Sequence, residues 1–191
     1  MRQTFNHEPV LTQALWPQQS WARTLILILL GSWLIALCAQ IQIPLWPVPV
    51  TGQTFAVLLV AALMGARQGA ASVLLYLAQG AMGLPFFAAG AAGAAVLFGP
   101  TAGYLFGFVL AAYLVGWLAE QGWDRQVGTA VLAMLLGNVV IYVAGLLWLA
   151  QFLPLAQLFS VGLLPFIPGD VLKIVAAALL LPGGWRLYRR N

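Results

Sequence analysis

The stretch VGLLPFIPGDVLKIVAAALLL, residues 161–181, decides the fold. It is apolar over the ~20 residues that a helix needs to cross a hydrocarbon core. It nevertheless carries Asp170 and Lys173, and Lys173 is the only lysine of the chain. Each charge costs ~2.5 to 3.5 kcal/mol at the centre of a membrane helix, so both must face protein, each other or a ligand. An i to i+3 spacing puts them on one helix face, where each neutralises the other. Two readings stand side by side: a polar site that a ligand shares, or an intramembrane ion pair that only locks helix packing. Pro165, Pro168 and Gly169 come just before Asp170. They place it in the first turn of a helix, where the macrodipole favours its charge.

The whole chain of 191 residues agrees with a membrane setting, being 63% hydrophobic and only 6% charged. No globular surface can be made from so few charges. The expectation is an all-α integral membrane protein, a compact bundle of six transmembrane helices near residues 22–39, 53–64, 68–79, 101–118, 127–149 and 161–181. The second and third are short, which implies tilt or burial under neighbours. Arg2, Arg23, Arg67, Arg125, Arg186, Arg189 and Arg190 all fall on one side of these spans. The connections on the other side, residues 41–52, 82–100 and 150–160, have no lysine or arginine. By the positive-inside rule both termini are cytoplasmic. Residues 1–191 then form one membrane domain, with a cytoplasmic segment 1–21, the bundle over 22–181 and a basic cytoplasmic tail 182–191. The net charge of +4 reflects topology and not nucleic-acid binding, because the arginines are spread over separate loops. Residues 35–38 loosely resemble a lipobox, but Leu37 is too large for the cleavage position, so the first span reads as a retained helix. Cys38 is the sole cysteine, which leaves no intrachain disulfide and no cysteine-based metal cluster.

One segment, residues 80–107, alternates glycine and alanine with aromatics. Its start, YLAQGAMGLPFFA (76–88), leaves a helix through Gly80 and Gly83 and turns at Pro85. Its end, FGPTAGYLFGF (98–108), turns at Pro100 and enters the fourth span with Thr101 as its cap. Apolar, non-helical backbone at a membrane surface is tolerated only when packed on protein or lining a cavity. The loop between them is therefore expected to fold over the bundle as a lid. Gly103 and Gly107, four apart, suit close helix packing. The first outer loop leads into PVPVTGQTFAVLL (47–59), where prolines hold an extended chain and Thr51, Gln53 and Thr54 offer neutral hydrogen-bonding groups. Capping of the second span explains Thr51 but not Gln53. Asn138 and Tyr142 share a face of the fifth span, for interhelical bonding or for lining a polar cavity beside Asp170 and Lys173.

No GxxxxGK[ST] phosphate loop is present, and the only histidine, His7, precedes the first span. Neither ATP hydrolysis by a P-loop, nor a HExxH zinc site, nor a Ser/His/Asp triad in the bundle is available. The chain reads as a binder with no cofactor and no catalytic residue.

PVPVTGQTFAVLL, YLAQGAMGLPFFA, FGPTAGYLFGF and PGDVLK (168–173) together resemble the BioY family, the biotin-specific substrate-binding (S) components of energy-coupling-factor vitamin transporters. The resemblance runs from about residue 36 to residue 181. It implies a bundle in a prokaryotic plasma membrane that captures biotin from outside. It also implies a transmembrane coupling protein and two ABC ATPase subunits as partners. Asp170 and Lys173 match the family's biotin contacts, and the first outer loop and the Gly-Leu-Pro loop match its pocket closures. Biotin has a ureido ring with two N–H donors and a carbonyl, an apolar thioether ring and a valerate carboxylate. Asp170 can accept from the ureido N–H groups, Lys173 can donate to the carbonyl or the carboxylate, and Phe86, Phe87 and Tyr104 are candidate apolar walls. Some family members have further polar or basic residues near the third loop, and residues 82–100 have none, so the holder of the carboxylate is open. Ser32, Ala36 and Ala39 form a small-residue stripe on the first span. It lets another helix approach closely, either inside the bundle or from a partner, and the resemblance implies docking of the coupling protein there. Another vitamin as ligand, and self-association, stay open at this stage.

Overall fold

The computed structural model describes residues 9–18 and 20–189. Arg2, His7 and Arg190 lie outside the described residues. A short helix α1 (Leu11–Leu15) precedes α2 (Trp21–Gln40); then come the strands β1 (Gln42–Ile43) and β2 (Val50–Thr51), α3 (Gln53–Met64) and α4 (Ala66–Ala81). Two 3₁₀ turns, Ala88–Gly90 and Ala94–Phe98, lead to α5 (Ala102–Glu120), α6 (Val127–Leu149), α7 (Leu155–Gly162) and α8 (Ile167–Tyr188). Helices thus occupy all six expected stretches, and α2, α5, α6 and α8 are long and apolar enough to cross a membrane. At 12 and 16 residues, α3 and α4 are shorter, as expected.

The sixth stretch differs from the expectation in both directions. No helix runs unbroken from residue 161: α7 ends at Gly162, the chain turns through residues 163–166, and α8 begins at Ile167 with Pro168 in its first turn. Proline fits there because the first-turn N–H groups have no intrahelical partner. At the other end α8 continues through Pro182 to Tyr188, so most of the expected tail is helix. Pro182 is buried, and neighbouring groups can make good the hydrogen bond that a proline removes from a packed membrane helix. α1 was not expected from periodicity, since five residues are too few to show one. Thr101 stands at the start of α5 but makes no side-chain cap, and faces the cavity described below. Thr51, by contrast, does accept from the backbone N–H of Gln53, at 3.3 Å.

α5 and α6 pack closely because Gly103 and Gly107 leave no side chain between them: a Cβ on Gly103 would lie 2.6 Å from the Ala144 carbonyl, and one on Gly107 3.1 Å from the Cα of Ile141. The arginine-bearing segments gather at one end of the bundle. There Arg23 donates to the Thr12 carbonyl (2.7 Å), Thr12 to that of Leu63 (2.7 Å) and Arg125 to that of Pro9 (3.4 Å). Arg125 also stacks on Trp185 of α8, 4.7 Å from the ring centre. At the opposite end, β1 and β2 pair antiparallel, Gln42 with Thr51 and Ile43 with Val50, beside the loop 82–100.

The small-residue stripe faces inward. Ser32 and Ala39 are 0% exposed and Ala36 6%, with Ser32 Oγ bonded to the Leu29 carbonyl (2.8 Å) and to Gln79 Oε1 on α4 (3.1 Å). These contacts lie inside the bundle, and Ala36 also borders an apolar groove on the outer side of α2. The outward face of α2 is made of large apolar residues, among them Leu25, Leu30, Trp33 and Leu37.

Candidate ligand-binding site

A cavity of about 210 Å³ opens at the end of the bundle away from the arginines. Its walls come from α3, α5, α6 and α8, from β2 with the residues before it, and from the loop 82–100. That loop contributes Phe87, Ala88, Ala91 and Val96, so it does fold over the bundle as a lid. Most of the lining is apolar; the polar lining residues are Thr51, Gln53, Thr54, Thr101, Tyr104, Tyr142 and Lys173.

At the α8 wall, the ion pair foreseen from spacing is present, Lys173 Nζ to Asp170 Oδ1 at 3.0 Å. It is embedded in a larger network. Lys173 also donates to Thr54 Oγ1 (2.9 Å), whose hydroxyl reaches Asp170 Oδ1 at 3.2 Å, and Tyr142 donates through its hydroxyl to Asp170 Oδ2. Three elements supply the parts: Thr54 from the first turn of α3, Tyr142 from α6, and the pair from the start of α8. The N-terminus of α8 supports the carboxylate with its dipole. Asp170 is 5% exposed and stands behind the lining, while Lys173, Thr54 and Tyr142 form the cavity wall in front of it.

A second polar group lies on the α3 wall. Gln53 Nε2 donates to the Tyr76 hydroxyl at 2.6 Å, and Thr51 Oγ1 donates to Gln53 Oε1 at 3.0 Å. This is the role that capping left unexplained. Phe166, from the turn before α8, stacks on Tyr104 (ring centres 6.1 Å apart, planes at 23°) and meets Tyr142 edge-on. Tyr104 is fixed in turn by its hydroxyl bond to the Gly162 carbonyl (2.8 Å).

Most of the expected site residues converge: Asp170, Lys173, Gln53, Thr51, Phe87, Tyr104 and Tyr142 lie on the cavity or directly behind it. Two do not. Phe86 points to the opposite side of its loop and, with Trp33, Ala36 and Leu37, walls a separate groove along α2. Pro85 and Phe86 lie in a turn and Phe87 follows it in extended backbone, so the two rings leave the loop on different sides. Asn138 is buried and lines a small void that shares Thr54 and Lys173 with the main cavity, and its Oδ1 has no hydrogen-bond partner among the described residues. Thr54, read from sequence only as one of three neutral hydrogen-bonding groups, proves to be the one that joins the charged pair. Phe166 had no signal in the sequence, because its position depends on how the turn before α8 folds.

These features define a membrane-embedded small-molecule receptor, a lidded apolar cavity with one charged cluster at its wall. The chain belongs to the BioY family, whose family model matches residues 6–190. It is 43% identical over 152 residues to the biotin transporter BioY of Thermotoga maritima, covering 77% of this chain and 86% of that protein. It is 38% identical over 154 residues to the biotin transporter BioY of Rhizobium etli, covering 76% and 82%. The fold is similar to the crystal structure of the S-component for biotin from an ECF-type ABC transporter, with a TM-score of 0.72 and 26% identity over 91% of this chain and 96% of that one. With several helices able to span a bilayer, it is a multi-pass membrane protein.

Proposed function

We propose that this chain binds biotin at the outer face of a prokaryotic plasma membrane and passes it on as the substrate-specific component of an ECF-type transporter. The observation that carries the reading is the wall formed by Lys173, Thr54 and Tyr142. An ammonium has three hydrogens, and Asp170 and Thr54 take two of Lys173's, leaving one for the ureido carbonyl. Tyr142 spends its hydrogen on Asp170, so its oxygen is left to accept a ureido N–H. Asp170 therefore acts from behind, setting the polarity of the groups that touch the ligand. The thioether ring and the valerate chain suit Phe87, Tyr104, Phe108 and Phe166. With no arginine among the described residues of the lining, the carboxylate is left to neutral donors such as the second amide hydrogen of Gln53 and the hydroxyl of Thr101.

Six spans with both termini cytoplasmic suit this role, and the gathered arginine ends support that orientation. The chain is read as one membrane domain over residues 1–191. Transport energy comes from a transmembrane coupling protein and two ATPase subunits. A purely structural ion pair would need no cavity in front of it.

The test is equilibrium binding of labelled biotin to the purified, detergent-solubilised chain without ATP. Saturable binding that unlabelled biotin displaces and thiamine or riboflavin does not is expected. Absence of binding by a folded sample overturns the reading, and displacement by another vitamin reassigns the ligand.

A further inference from the structure

The lid is fastened by a side chain that lies outside the cavity. Gln40, the last residue of α2, donates through Nε2 to the carbonyls of Phe87 (3.1 Å), Phe86 (3.3 Å) and Pro85 (3.5 Å), and its Oε1 accepts from the Gly90 N–H (3.0 Å). Nε2 also lies 3.2 Å from the Ala36 carbonyl of its own helix. An amide has only two N–H groups, so the carbonyls share them, and one side chain grips both limbs of the turn 85–90. The backbone of that turn needs such a grip. Ala89 has φ 59°, a left-handed conformation that a side-chain-bearing residue keeps only when its surroundings impose it.

On the other flank, Phe87 is 2% exposed and meets Tyr76 edge-on, with ring centres 5.6 Å apart. Its ring covers Gly80 so closely that a Cβ there would lie 2.5 Å from the ring. Phe87 and Ala88 face the cavity, while Pro85 and Phe86 face the groove along α2, about 340 Å³ in volume. Residues 85–88 are therefore the partition between the cavity and the apolar outer surface.

We propose that Gln40 is a positioning residue that sets how long a ligand stays in the cavity, by clamping residues 85–90 to α2. The inference rests on the biotin reading and names the residue that governs release. Freed from the amide, the turn opens more often, and a bound ligand escapes through it without any change in the groups that contact it.

The test compares wild type with Gln40→Met, which keeps the length and removes every polar contact. It also includes Gln40→Glu, which keeps the acceptor for Gly90 and loses the donors. Biotin dissociation and association rates are measured on the purified full chain, and amide hydrogen exchange is followed without biotin. Loss of these bonds should speed dissociation about tenfold in Gln40→Met, with a smaller change in association. Exchange at Gly90 should rise while α5 and α6 stay as protected as in wild type. Gln40→Glu should fall between wild type and Gln40→Met in both readouts, and it decides the matter alone if Gln40→Met does not fold. Unchanged dissociation, or a loss of affinity carried by slower association, overturns the proposal. If wild type binds no biotin, the biotin reading fails separately, and unchanged exchange at Gly90 in the variants still overturns the clamp.

Discussion

Asp170 accepts three hydrogen bonds, from Lys173, Thr54 and Tyr142, so each of its neighbours is held by a charge that the ligand does not itself touch. Asp170→Asn should weaken biotin binding by ~2 kcal/mol or more, about 30-fold, because it leaves the half-buried Lys173 ammonium without its counter-charge. Thr54→Val removes one neutral link and should cost ~1 kcal/mol, about fivefold. Calorimetry on samples that retain the wild-type unfolding midpoint would check both, and wild-type affinity in Asp170→Asn would rule out its role. Asn138 is predicted to behave in the opposite way. Its buried Oδ1 has no partner among the described residues, so Asn138→Leu removes an unsatisfied polar atom. Affinity should stay within about twofold and the unfolding midpoint should not fall. A large loss of biotin binding would restore Asn138 to the site.

Among the elements, α8 does two jobs. Its first two turns carry Lys173 to the cavity wall with Asp170 behind it, and its last turns carry Trp185 to the arginine-bearing end, where Trp185 Nε1 donates to Asp124 Oδ2 at 2.5 Å in the connection between α5 and α6. Asp124 is 2% exposed and its Oδ1 is unpartnered among the described residues. Burial pushes its carboxyl pKa up, opposed by the Trp185 and backbone hydrogen bonds and by Arg125. A carboxyl whose folded pKa lies above its unfolded one favours the fold most below the unfolded value, and that contribution is lost as pH rises through the folded one. Asp124→Asn should therefore gain stability relative to wild type as pH rises from the ordinary aspartate value of 3.8 through the raised one. Unfolding midpoints of both proteins against pH in detergent would show it, and a difference independent of pH would contradict it.

For the whole molecule, the arginine-rich end and the lidded cavity lie at opposite ends of the bundle, so a topology measurement tests both assignments at once. In a Cys38→Ala background, Ala91→Cys on the lid should react with an impermeant thiol reagent from outside the cell. Gln126→Cys, in the connection before α6, should react only once the cytoplasmic side is accessible. Ala91 lines the cavity, so biotin should slow the first reaction and leave the second alone. The reverse pattern of accessibility would invert the orientation.

The sequence by itself determined the membrane class, the helical stretches, the asymmetry of the arginines and the Asp170–Lys173 pair. All of these are set by local composition and by fixed spacing along a helix, and so need no knowledge of neighbours. The face a residue presents within a bundle is decided between helices, and there the tertiary structure had the last word. It buried Ser32, Ala36 and Ala39, sent Phe86 and Phe87 to opposite sides of one loop, and put Asn138 on a small void next to the cavity instead of on its wall. It also brought Thr54 to Asp170 across 116 residues of chain and laid Gln40 over the lid, contacts that no periodicity encodes because they exist only when separate helices meet.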